Sequence, residues 1–125
     1  MARLVDVDAV VWEAEVLRAE KPVLVEFWHE ACIWCKRLEP ELEKAADRFA
    51  GKFTFARLNV RASLDNMGLS QKYGIMGTPT MILFCQGRPV SQLVGYRPHD
   101  RLVQELADLI ETYEACFKQS TPLAD

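Results

Sequence analysis

Apolar residues along this chain fall into two rhythms, one of helices and one of strands. From Asp8 to Ala19 they stand at positions 9, 10, 12, 16 and 17 behind an aspartate suited to capping, which predicts a helix lying on a core. The run "PVLVEFW", residues 22–28, is almost continuously apolar and rich in β-formers, the pattern of a strand buried on both faces of a sheet covered by helices. Glu26 is its single polar interruption. The helical rhythm returns from Cys32 to Phe49 through Leu38, Leu42, Ala45 and Ala46, ends at Gly51, and carries Pro40, which predicts a kink. "KFTFARLNV" predicts a second strand, residues 64–73 a short helix stopped by Gly74, and "TMILFC" a third strand. "QGRP" reads as a turn into "PVSQLVGY", which alternates as a half-buried strand. Residues 99–117 form a closing helix with Leu102, Leu106, Leu109, Ile110, Tyr113 and Phe117 on one stripe. The order implies an α/β fold with a mixed central sheet flanked by helices, one domain over residues 1–118 and a frayed tail over 119–125.

Composition narrows the partners. The chain has 125 residues, 50% of them hydrophobic and 26% charged, with a net charge of −3, the profile of a globular protein with a core of its own. Its 15 basic residues are scattered without a basic stripe, so nucleic acid is not an expected ligand. Acidic residues interrupt every apolar stretch of the first 22 positions, which leaves no leader or membrane span to read there and makes the cytoplasm the default compartment. Four cysteines are too few for a disulfide scaffold, whereas the close pair in "ACIWC" has the spacing used for redox or metal chemistry.

The position of that pair favours redox chemistry. Cys32 falls where a buried strand gives way to the first turn of a helix, and the free N–H groups and dipole there favour a thiolate, lowering its pKa from the free value of about 8.5. Cys35 lies one turn further on the same face, close enough to form a disulfide. The expected division of labour is an exposed attacking Cys32 and a buried resolving Cys35. Pro79, in "MGTPT", enters a central strand where it cannot join the ladder normally, so a bend with a cis bond is expected. Thr78 would then offer its backbone to an extended substrate peptide. A buried Glu26 should have a raised pKa and serve as proton acceptor for Cys35, or else be held in a structural ion pair.

Taken together, "VLVEFW" before the pair, "CKRLEPELEKAA" after it, "KYGIMGTPT" and "GRPVSQLVGY" make the chain resemble a thioredoxin from about Leu4 to Ile110. The resemblance implies the thioredoxin fold and dithiol–disulfide exchange with protein substrates, driven by an upstream reductant. It further implies Cys32 as nucleophile, Cys35 as resolving thiol, Pro79 as the cis-proline, Trp28 flanking the site, and Glu26 and Arg57 as the buried carboxylate and its cation. The family usually has aspartate and lysine at those last two places, and commonly Gly-Pro where this chain has Ile33-Trp34. Losing that proline should make the pair somewhat less reducing, and Ile33, Trp34, Trp28 and Met76 should form an apolar rim for a protein partner. Ala31 replaces a tryptophan often found before the first cysteine, which argues against the usual thioredoxin reductase contact.

Other readings are kept beside this one. A binding or assembly module would dock one partner on the rim with little turnover. His29, Cys32 and Cys35 are three donors in search of a fourth, which Cys85, His99 and Cys116 are not obviously placed to supply, while two chains sharing their pairs would complete an iron–sulfur cluster. The expectation is no metal and no prosthetic group. His29 is read as a rim residue whose charged form lowers the Cys32 pKa, or as plain surface. Cys85 is read as a small core residue and Cys116 as partly exposed, with regulatory oxidation a minor alternative for the latter.

Overall fold

The structure, a computed structural model, describes residues 4–119. Five strands form one sheet in the order β1-β3-β2-β4-β5: β1 is Val5–Val7, β2 Val23–Trp28, β3 Thr54–Asn59, β4 Thr80–Cys85 and β5 Arg88–Val94. β1, β3 and β2 run parallel, while β4 is antiparallel to β2 and β5 to β4. Helices α1 (Ile33–Arg48), α3 (His99–Thr112) and α4 (Glu114–Gln119) cover one face. Helix α2 (Leu64–Lys72) and a π-helical turn at Glu13–Leu17 cover the other. β2 therefore sits at the centre with both faces buried, as its almost continuously apolar run requires.

The sheet splits the core in two. Leu24, Leu38, Leu42, Phe53, Leu102 and Leu106 pack on the α1/α3 side, and Val25, Phe27, Leu58 and Ile82 on the α2 side with Trp12, whose ring meets Phe27, Tyr73 and Phe84 at centroid distances of 5.3 to 6.1 Å. α1 runs unbroken through Pro40.

Four elements differ from expectation. Strand β1 is an addition, because three residues carry too short an alternation to be legible. The helix expected over 8–19 contracts to the π-helical turn. Asp8 Oδ1 accepts from the N–H groups of Val10 and Val11, and Asn66 Oδ1 accepts from Ala9 N–H at 2.8 Å, so side chains hold 8–11 as turns instead. The "QGRP" turn is only Gln86–Gly87, both at positive φ (52° and 83°), so Arg88 and Pro89 belong to β5, where proline is tolerated on a sheet edge. The closing helix breaks at Tyr113, whose hydroxyl donates to the Val90 carbonyl at 2.6 Å. The break turns α4 back onto the core and includes Lys118 and Gln119 in a helix; residues 120–125 lie outside the described part.

Candidate active site

Cys32 is the N-cap of α1 and Cys35 the third residue of that helix, and the two form a disulfide with a Cα separation of 5.2 Å. Cys32 Sγ accepts the Cys35 backbone N–H at 3.1 Å, so the sulfur takes the place of the usual capping oxygen. No acidic residue lies in the first turn of α1 to oppose a thiolate there. The cysteines are 8% and 1% exposed. Cys32 is thus the more accessible of the two, though buried rather than exposed as expected of an attacking sulfur.

Glu26 is fully buried on β2. It shares a strand face with Leu24 and so lies toward α1. Its Oε1 accepts from Arg57 Nε at 3.1 Å across the β2–β3 register, while Oε2 has no partner among the described residues. Arg57 Nη1 also lies 3.7 Å from Glu39 Oε2. Glu39 stands one turn beyond Cys35 on α1, so the acid, the cation and the helix of the resolving cysteine form one network. Burial pushes the Glu26 carboxyl up to about 7, against the opposing pull of Arg57. Glu26 is thus ion-paired, yet its carboxyl is held near neutrality.

The Thr78–Pro79 bond is cis, and Thr78 stands just outside the β2–β4 ladder. Thr78 lies between two shallow grooves. One is walled by Trp34, Pro79, Gly95 and Tyr96, the other by His29, Met67, Ile75 and Met76. Met76 is 97% exposed, Ile33 60% and Trp34 49%. Trp34 nevertheless has packing partners, with Tyr96 at 5.6 Å and the Arg37 guanidinium at 4.9 Å from its ring. Trp28 is covered by Arg57, whose guanidinium lies 4.0 Å above its ring, and it lines neither groove. The Gly95–Tyr96 wall is itself fixed from behind: buried Arg97 donates to the Val94 and Gly95 carbonyls and, from Nε, to Glu105 Oε1 of α3 at 2.7 Å.

Three expectations change here. Partial desolvation and Arg61 hold the His29 imidazole below its usual pKa, which disfavours the charged form expected near Cys32, and Nδ1 accepts the Ala31 N–H at 3.2 Å. Cys116 is buried, not partly exposed, and Cys85 is half-buried rather than a core thiol; the two are joined in a second disulfide. The turn at Tyr113, invisible in the helical stripe, brings them together. Among the described residues, no group of three or more His, Cys, Asp or Glu side chains is placed to hold a metal ion. None of their helices is long and apolar enough to cross a membrane.

A dithiol–disulfide pair capping a helix, beside a cis-proline and above a buried carboxylate, defines a thiol–disulfide oxidoreductase acting on protein disulfides. The family model described as Thioredoxin matches residues 3–108, and the chain belongs to the thioredoxin family. It is 43% identical over 97 residues to a thioredoxin of Alicyclobacillus acidocaldarius, covering 78% of this chain and 90% of that one. A thioredoxin of Mycobacterium bovis is 38% identical over 96 residues, 77% of this chain and 80% of that protein. The bifunctional thioredoxin reductase/thioredoxin of Mycobacterium leprae is 37% identical over 97 residues, 78% of this chain but 20% of its own length.

Proposed function

We propose that the chain reduces protein disulfides through a two-step relay carried by its own sulfurs, without a prosthetic group. Cys32 Sγ, as the thiolate favoured at the start of α1, attacks one sulfur of the substrate disulfide. The substrate S–S bond breaks, a Cys32–substrate bond forms, and the departing sulfur takes up a proton. Cys35 then gives its proton to the Glu26 carboxylate and attacks Cys32 Sγ, expelling the second substrate thiol. The substrate gains two electrons and the Cys32–Cys35 pair loses two. The observation that carries this reading is the Cys32–Cys35 disulfide at the helix start with Glu26 buried beneath α1.

The substrate is an extended segment that pairs with the backbone of Thr78 beside Pro79, with Ile33, Trp34 and Met76 as its apolar contacts and Trp28 behind them. The electron donor is an upstream dithiol reductant of the cytoplasm whose contact needs no aromatic side chain at Ala31. Fusion to a reductase is a property of the Mycobacterium leprae protein.

Reduction of insulin disulfides in the presence of dithiothreitol tests the proposal. Catalysis above background that Cys32→Ser abolishes is the expected result. A rate equal to background rejects it, leaving the exposed Ile33, Trp34 and Met76 as the docking face of a module with little turnover. A Cys35→Ser variant, unable to resolve, should accumulate its substrates as mixed disulfides in a cell extract and so identify them.

A further inference from the structure

The second disulfide lies outside everything the exchange reaction uses. Cys85 closes β4 immediately before the Gln86–Gly87 turn, Cys116 lies in α4, and their Cα atoms are 6.0 Å apart, within the range a disulfide spans. It stands at the opposite end of β4 from the active site. Thr80, beside Pro79, opens the strand and pairs with Phe27, whereas Cys85 follows Phe84, which pairs with Val23 at the far end of β2. Five strand steps of about 3.4 Å separate Thr80 from Cys85, so roughly 17 Å of rigid sheet keeps the two sulfur pairs from exchanging within one molecule.

Its surroundings differ as well. Cys32 has a helix start, a buried acid and open grooves beside it, all of which serve fast exchange. Cys116 is buried with Phe117 in the α1/α3 core, where Phe117 meets Phe53 at 5.0 Å. A thiolate must approach along the S–S axis, and lifting α4 would uncover the buried Cys116. Six residues of helix are too few to persist alone in water, so its attachment to the core decides whether α4 stays folded. A link here therefore controls an element that otherwise belongs to the low-stability end of the molecule.

We propose that Cys85 and Cys116 form a second dithiol–disulfide site, independent of the exchange pair, whose oxidation fastens α4 to the end of β4 and whose reduction releases it. On oxidation the two thiols lose two electrons and two protons to a disulfide oxidant such as glutathione disulfide, which leaves as two thiols. On reduction a dithiol such as dithiothreitol takes the oxidised form and returns both electrons.

The test uses the full chain carrying Cys32→Ser and Cys35→Ser, so that Cys85 and Cys116 are the sole cysteines. After glutathione disulfide, alkylation under denaturing conditions and mass measurement should find no free thiol and a mass lower by two hydrogens; after dithiothreitol, two alkylated thiols. Reduction should speed amide hydrogen exchange in 114–119 by at least tenfold and lower Tm by about 5 °C or more. Adding Cys116→Ser should fix exchange in α4 at the fast value with or without reductant. Two free thiols after oxidation, or equal α4 exchange in both redox states, overturns the proposal.

Discussion

Glu26 concentrates the chemistry of the residue scale. A lone acid in "PVLVEFW" is legible as unusual, because burial of a charge needs a partner; the sequence does not reveal that Arg57 would be shared with Glu39 and stacked on Trp28. Its titration has a stability consequence. The folded pKa, raised from 4.5 to about 7, lies above the unfolded one, so folding favours the neutral acid. The cost of burying Glu26 is absent below about pH 4.5, grows as pH rises toward 7 and is complete above it. Glu26→Gln should therefore stabilise the oxidised protein increasingly across that window, reaching about 3 kcal/mol at pH 8, as read by urea unfolding at a series of pH values. A gain that does not change with pH would show that the carboxyl is ordinary. The same substitution should slow resolution of a Cys32 mixed disulfide about tenfold or more and remove any inflection of that step near pH 7, checked by quenched-flow alkylation.

Between the cysteines and the sheet, whole elements set the terms. The start of α1 is legible because a strand, a cysteine pair and a helical stripe follow one another without a gap, and the structure adds only that Cys32 is itself the cap. Ile33-Trp34 leaves that first turn without a proline, and the reduced chain has more freedom to lose when the disulfide closes. Equilibration with glutathione should give a potential less reducing than thioredoxin, where about 30 mV corresponds to 1.4 kcal/mol; a value at or below thioredoxin's contradicts the expectation. The β4–β5 hairpin turns on Gly87, at φ 83°, where an added Cβ would stand 2.8 Å from the Leu17 carbonyl oxygen. Gly87→Ala should cost at least about 1–2 kcal/mol in urea unfolding, because neither the backbone nor Leu17 can yield without moving the π-helical turn. That contact joins segments 70 residues apart and has no signature in either.

The molecule as a whole was more readable than its ends. The sheet, the two helical layers and the site at the head of α1 follow from long, strongly periodic segments, whereas β1, the π-helical turn and α4 depend on tertiary contacts, among them parallel pairing to β3, the Asn66 bond to Ala9, and the Cys85–Cys116 link. Helical periodicity places Phe117 on the stripe of α3 whether or not the chain breaks at Tyr113, so the approach of Cys116 to Cys85 leaves no mark in the sequence. That pair has a sequence separation of 31, and closing so long a segment restricts the unfolded chain by about 3–4 kcal/mol. Dithiothreitol should lower the urea midpoint of the Cys32→Ser, Cys35→Ser protein accordingly, and an unchanged midpoint would mean that the unfolded chain gains nothing from release.

Arg97 carries a consequence of another kind. It ties the Gly95–Tyr96 groove wall to α3 through Glu105, whereas the sulfurs depend on α1 and the acid beneath them on β2 and β3. The Gly95–Tyr96 wall is thus held from α3, and it meets the cysteine loop through the packing of Tyr96 on Trp34. A change at Arg97 therefore reaches the groove through its wall, without passing through the acid and cation beneath the sulfurs.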